Sequence, residues 1–402
     1  MYKGSLTGAI LLIAGCCIGA GMLGIPVISA LSGFIPSTLM LTLSWLFMST
    51  TALLLLEINL SFKEEVSLIS MAGKTLGAFG QAIAWVCFLF VFYCLGVAYI
   101  SGSGELLAGF YFSLTGLPLA NWIGYLAISL TFALFVYLGT RAVDLFNRLL
   151  MLGLIVSYVL LVVFGAPFVH KEHLTHIDFS QALPVLPIMI ISFGFHNLIP
   201  TLVTYLDRDV KRLRTAILIG SFIPLCVYLV WEWIILGLLP LYGDFGLKSL
   251  IDQGAMASQL LQHAVGSSSS LGHFVVLLTE CFAFFAILTS FLGNSLSFVD
   301  FLADGLRIPK NAMGTWLLCF LVIAPPLVMA ILYPHLFLTA LSFAGAFGAV
   351  ILFGVLPALM VWSGRYRHHL QSYYRVAGGK ALLIVIIAFS LSIVALNLHL
   401  LV

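Results

Sequence analysis

The sequence predicts an all-α membrane protein of eleven transmembrane helices, arranged as two inverted repeats of five with one helix added at the C-terminal end. Three observations predict it: a composition too apolar for a water-facing surface, eleven apolar runs of spanning length, and matched interruptions in the first and sixth runs. Hydrophobic residues make up 62% of the 402 residues and charged ones only 8%, against roughly a half and a quarter in an ordinary globular domain. So few charges cannot cover a soluble protein of this size. The seven cysteines, Cys16, Cys17, Cys87, Cys94, Cys226, Cys281 and Cys319, show no CxxC or metal-like spacing and read as small core residues. A net charge of +2 gives no nucleic-acid footprint.

Apolar runs of about 20 residues cross a bilayer as helices. They fall at 5–31, 34–60, 80–108, 120–138, 146–168, 184–206, 214–239, 272–299, 314–332, 335–362 and 381–401. The first could also be a signal peptide, since Lys3 precedes it and Ile13-Ala14-Gly15-Cys16 resembles a lipoprotein cleavage box. Ten further runs behind it argue for a span. With the N-terminus in the cytoplasm, only Lys171 and Lys248 of the 17 Lys and Arg residues fall outside. That asymmetry is what the positive-inside rule requires, and a wrong helix count upstream would scramble it. The C-terminus is then outside. The chain reads as one domain, 1–402, with repeats at about 5–170 and 181–362 and the extra helix at 381–401. The outer segment 240–271, with "GSSSS" at 266–270, is expected to hold a short surface helix or lid. The basic, tyrosine-rich linker 363–380 is expected to lie along the anionic inner leaflet.

The first run carries "GCCIGAGMLGIP" at 15–26, which contains a literal GxGxxG. A dinucleotide site would need a strand before it and an acid about 20 residues later. Here the run is apolar before the motif, and no Asp or Glu occurs before Glu57. The sixth run supplies the better comparison. Its "PIMIISFGFHNLIPTLVTYL", 187–206, is again interrupted by glycine and polar residues, and Leu23-Gly24-Ile25-Pro26 aligns with Asn197-Leu198-Ile199-Pro200. Paired interrupted segments of opposite direction, five helices apart, are the expected trace of an inverted repeat.

A broken helix in lipid survives only where it lines protein or a water-filled cavity. The first half ends in carbonyls carrying partial negative charge; the second begins with amides carrying partial positive charge. Pro26 suits the first turn of that second half because it has no N–H. The glycines could instead serve close helix packing, but the matching break in the sixth run favours a binding site. Neither break holds a charged residue, which suits a zwitterion: carboxylate to the amides, ammonium to the carbonyls. Phe193, Phe195 and His196 at the second break, with Tyr93 and Tyr99 on the third run, are candidates for the side-chain pocket.

Five stretches then carry a family resemblance: "GAGMLGIP", "SFGFHNLIP", "AYISGSG" at 98–104, "TSFLGNSLSFVDFLADGL" at 289–306 and "PALMVW" at 357–362. Together they resemble the bacterial hydroxy/aromatic amino-acid permeases, across essentially the whole chain. The resemblance implies the amino acid–polyamine–organocation superfamily and its LeuT-like five-plus-five fold. It implies a monomeric carrier in the bacterial inner membrane that imports tyrosine and/or tryptophan by proton symport. By position, Gly19, Ala20, Gly21, Met22, Leu23 and Gly24 would bind the substrate backbone, and Phe193, Gly194, Phe195, His196 and Asn197 would line the pocket. Thr289 and Ser290 fall where sodium-coupled relatives of the fold place hydroxyl ligands, so a sodium-coupled neutral amino-acid symporter is the alternative. No cofactor is implied beyond the coupling proton or sodium ion.

For the proton, the intramembrane acids and His196 are the candidates. Glu57, Glu105 and Asp300 lie near helix ends; Glu280 and Glu232 lie deeper, and Glu280 first and His196 second are the expected proton carriers. His170, His173 and His176 beside Glu172 could form a metal site, but a solvated outer loop is the simpler reading. No nucleophile–base pattern supports an intramembrane enzyme, and two isolated breaks do not suit a channel.

Overall fold

The structure, a computed structural model, describes residues 4–138, 140–243, 246–248, 270–309 and 311–401. Most of the expected outer helix or lid within 240–271 lies outside the described residues. Among the described residues there is no strand; the chain is a set of packed apolar helices.

Helix α1 (Leu6–Cys17) begins at Ser5, whose side chain accepts from the Gly8 N–H, and ends where Ile18 turns extended at ψ 101°. Helix α2 (Gly21–Ser29) resumes after three residues at an angle of 52° to it. Then follow α3 (Phe34–Ser61), α4 (Leu68–Thr115), α5 (Asn121–Leu138) and α6 (Thr140–Gly165). Gly77 kinks α4 at φ 76°, so the turns before it are set apart from the long span; Gly116, left-handed at φ 70°, closes it. The sixth apolar run is also two pieces, α7 (Leu186–Ser192) and α8 (Ile199–Tyr205), joined through a single tight turn at His196–Leu198. Helix α9 (Val210–Leu238) is capped by Asp209, which accepts from the N–H groups of Lys211 and Arg212. Helices α10 (Ser270–Leu306), α11 (Ala312–Leu332), α12 (Phe337–Tyr366) and α13 (Gly379–Leu401) complete the chain.

Among the described residues, eight of these helices and the segment Phe179–Tyr205 that holds α7 and α8 are long and apolar enough to cross a membrane, and the bent pair α1–α2 makes a tenth candidate span. The expected span at 120–138 is present as α5, but its described apolar part, Asn121–Phe135, is shorter than the other spans. Large apolar side chains such as Val86, Leu149, Val163 and Val385 remain exposed on the outer surface, as a lipid-facing belt requires.

Close packing explains two local irregularities. Residues Ala344–Val355 within α12 wind as wide π-helical turns, and a Cβ on Gly345 would come 1.9 Å from the Pro187 carbonyl oxygen of α7. Small residues there let α12 approach the second break. Between α4 and α5, a Cβ on Gly104 would come 2.4 Å from Tyr125 Cδ1 and 2.7 Å from the Tyr125 backbone nitrogen. Gly104→Leu is expected to cost at least about 2 kcal/mol through overpacking and to lower Tm in detergent. An unchanged Tm would show that the two helices separate freely.

Contacts between distant segments define two opposite faces. On one, the N-terminus, the ends of α3 and α8, the start of α9 and the linker after α12 meet. Gly4 donates to the Tyr205 carbonyl at 3.1 Å. Arg212 donates to the Gly4 carbonyl at 2.7 Å, and Arg208 to those of Leu60 and Phe62 at 3.1 and 2.6 Å. The linker expected along the leaflet is tied to this face: Arg365 pairs with Glu57, the Val376 N–H donates to Glu57 at 2.8 Å, and Arg214 lies over the Tyr374 ring. On the other face, His176 Nε2 meets the Leu31 carbonyl at 2.8 Å and His173 Nδ1 the Gly237 carbonyl at 3.0 Å. His173 and His176 therefore pin helix ends, and the described residues hold no metal-binding cluster.

Candidate functional site

The two breaks lie against each other. A Cβ on Gly21 would come 2.6 Å from Ser192 Oγ and 3.2 Å from Ser192 Cα, so the start of α2 touches the end of α7. Glycine at 21 is what permits that approach. Where α1 ends, the Ala20 N–H donates to Ser290 Oγ of α10 at 3.0 Å. Gly19 makes room for it, since a Cβ there would lie 2.1 Å from that hydroxyl oxygen.

Behind the breaks stands α9. The Tyr228 hydroxyl is 2.6 Å from the Cys17 carbonyl oxygen and 2.8 Å from that of Ser192, the last residues of α1 and α7. One hydroxyl hydrogen serves one acceptor at a time, so the pair of carbonyls retains capacity for a further donor. One turn on, Trp231 Nε1 donates to the Met22 carbonyl at 2.9 Å. Glu232 is fully buried and accepts from the hydroxyls of Ser29 on α2 and Ser37 on α3. Sequence reasoning named Glu232 only as one acid among several and missed Tyr228 and Trp231. The available signal was their i, i+3, i+4 spacing, which places all three on one side of an apolar helix.

A cavity of about 420 Å³ opens below the breaks. It is lined by α1 before its end (Leu11 to Cys17), Gly19 to Gly21, α4 from Phe88 to Tyr99, the first turns of α6 at Asn147 and Met151, and the second break at Gly194, Asn197 and Leu198. Thr289, Ser290, Gly293, Asn294 and Ser297 supply one face of α10, with Leu341 and Phe353 from α12. No charged side chain lines it. In chain order these are the halves of the helices nearest the N-terminal face. Toward the opposite face Met22, Leu23 and Gly24 are buried and the Glu232–serine contacts close the packing.

Of the residues named from sequence, Gly19, Ala20, Gly21, Tyr99, Gly194, Asn197, Thr289 and Ser290 come together around this cavity. The others do not line it, each for a visible reason. Met22, Leu23 and Gly24 belong to the sealed side. Tyr93 is six residues from Tyr99, about 120° around the helix, and its hydroxyl donates to the Leu321 carbonyl of α11 at 3.1 Å. Phe193 and Phe195 are fully buried in the core, Phe193 against the Tyr228 ring at 5.1 Å. His196 is fully buried too: Nε2 is 2.9 Å from Thr51 Oγ1, and the ring stacks on Phe353 at 4.7 Å. Phe353, on which it stacks, is itself part of the cavity wall. Glu280 sits ten residues from Ser290 along α10, about 15 Å of rise, and does not line the cavity.

The sequence profile of the tryptophan/tyrosine permease family matches residues 2–397. The chain belongs to the tryptophan/tyrosine permease family. Among its relatives are the tyrosine-specific transport system 1 and the tryptophan-specific transport protein of Haemophilus influenzae, each 33% identical over 97% of this chain and 95% of their own. The glutamine transporter 2 of Aliivibrio fischeri is 30% identical over 96% of this chain and 97% of its own. The permease is thus a multi-pass membrane transporter and not an enzyme, and the cavity between its two broken helices is the candidate transport site.

Proposed function

We propose that this permease imports an aromatic amino acid, tyrosine and/or tryptophan, into the bacterial cytoplasm by proton symport with alternating access. One observation carries the reading. Both half-helix ends converge on a single uncharged cavity whose walls include Phe88, Phe92, Tyr99 and Phe353. The free carbonyl capacity at Cys17 and Ser192 suits an ammonium, and the backbone at Gly19–Gly21, with α2 beginning there, suits a carboxylate. An uncharged pocket of this volume, walled by rings, fits a zwitterion with a flat apolar side chain. The names of the Haemophilus relatives support that substrate class.

Eleven spans, with α5 counted, give the LeuT-like arrangement of repeats at about 5–170 and 181–362 and an added α13. The N-terminal face is then cytoplasmic, in keeping with its basic residues, and the cavity on that side is an inward-facing one, closed outside. The bundle of spans 1, 2, 6 and 7 rocks against the scaffold of 3, 4, 8 and 9 around the fixed site.

For coupling, the hydroxyls of the sodium alternative are engaged within the protein. Thr289 donates to the carbonyls of Phe285 and Ala286 at 2.9 and 3.1 Å, and Ser290 accepts from Ala20. Each oxygen still keeps a lone pair that a cation could use, so these bonds leave the sodium alternative open and the proton reading stands on His196. His196, buried beside the cavity with Nδ1 unpartnered, is the better placed of the two proton candidates. In proteoliposomes an imposed proton gradient without sodium is expected to drive concentrative uptake, and sodium alone is not. The converse result would move the permease to the sodium reading. If no aromatic amino acid competed for uptake while glutamine did, the substrate class would be wrong.

A further inference from the structure

Below Ser290 the cavity contains polar groups that neither the backbone site nor the coupling groups use. On α10, Ser290, Gly293, Asn294 and Ser297 follow at intervals of three, one and three residues, all facing the cavity. That spacing is one helix face. Asn294 is one turn below Ser290, about 6 Å along the axis, and its Nδ2 lies 3.4 Å from the Phe92 carbonyl oxygen. Asn147, the eighth residue of α6, lines the same cavity. Its Oδ1 is buried and has no hydrogen-bond partner.

The surroundings make that oxygen unusual. The cavity that Asn147 helps to line is walled by Phe88, Phe92, Leu95 and Met151 among others, none of which offers a side-chain donor to an amide oxygen. A buried acceptor left unpaired costs free energy, and an unpaired group in a native structure calls for a specific explanation. A leucine would fill the same volume without that cost.

We propose that Asn147, with Asn294 and Ser297 of the same cavity, is the polar end of the side-chain pocket, and that Asn147 Oδ1 accepts the single donor of the aromatic side chain. This rests on the aromatic amino-acid reading. With the substrate backbone held at Gly19–Gly21 beside Ser290, an aromatic side chain directed down the ring-lined wall ends near the level of Asn294. Tyrosine brings a phenol O–H there and tryptophan an indole N–H; phenylalanine brings neither. Asn147 is therefore a specificity-determining residue. It separates aromatic side chains that carry a donor from the one that does not, because a site built to receive a hydrogen bond rejects the analogue that lacks it.

The test is a set of transport constants for tyrosine, tryptophan and phenylalanine on the wild-type permease, Asn147→Leu and the smaller Asn147→Ala, each normalised to inserted protein. The wild type is expected to favour tyrosine or tryptophan over phenylalanine by tenfold or more in kcat/KM. In both variants that ratio is expected to fall at least tenfold, through loss of the donor-bearing substrates. A ratio unchanged in the variants, with all three substrates weakened alike, would overturn the proposal and leave Asn147 a packing residue. Equal wild-type use of all three would overturn it without any variant, since the acceptor would then be met by water. Should the wild type carry glutamine but none of the three, the substrate reading itself fails, and that outcome is distinct from both.

Discussion

Arg365→Met is expected to leave little folded permease. Arg365 Nε and Nη2 bind Glu57 Oε1 and Oε2 at 2.6 and 2.5 Å, and Nη2 also donates to the Val376 carbonyl at 2.8 Å. The two side chains are 9% and 3% exposed. Removing the guanidinium strands a buried carboxylate, which typically costs about 3–5 kcal/mol, a large share of the margin by which proteins are stable. It also frees the linker, because the same carboxylate receives the Val376 N–H and the Glu57 carbonyl accepts from Ser372 at 3.0 Å. Thermal unfolding in detergent should show a lower Tm. Glu57→Gln/Arg365→Met, which removes both charges, should recover most of the loss. A double variant as unstable as the single one would mean that the charge is not what matters.

Gly21→Leu is expected to abolish uptake while the protein still inserts. A side chain at 21 would fill the backbone site. Contact with Ser192 adds a second and stronger reason: a Cβ at 21 meets the end of α7 at 2.6–3.3 Å, so the two breaks cannot stay together. Uptake per inserted molecule should fall by about a hundredfold or more, the loss of roughly 3 kcal/mol of positioning. Uptake at the wild-type level would show that the breaks need not touch, and would remove the basis for placing the substrate between them.

The spans were legible because each is a run of apolar residues whose length is set by the bilayer, and the breaks because glycine and proline interrupt such runs. Each of these is a local signal. Side-chain direction was not legible. Tyr93 and Tyr99 look alike in sequence, yet one bonds the α11 backbone and the other lines the cavity. Phe193, Phe195 and His196 sit within a break and still point into the core, because the tight turn at 196–198 presents Gly194, Asn197 and Leu198 to the cavity instead. The i, i+3, i+4 spacing of Tyr228, Trp231 and Glu232 marks one helix side but not its partners, which lie mostly some two hundred positions away in α1, α2 and α3.

By itself the sequence determined that this chain is an all-helical membrane protein, that its first and sixth apolar runs are broken, and that the breaks hold no charge. Composition and periodicity are enough for that, because the bilayer demands apolar length and internally satisfied backbone. Only the tertiary structure decided which residues meet: that one tyrosine hydroxyl stands between both carbonyl ends, that Ser290 takes the Ala20 amide, that the cavity lies on the N-terminal face, and that Asn147 lines it with its amide oxygen buried and unpaired. Those facts depend on how helices distant in sequence rotate and pack against one another, which no local pattern encodes.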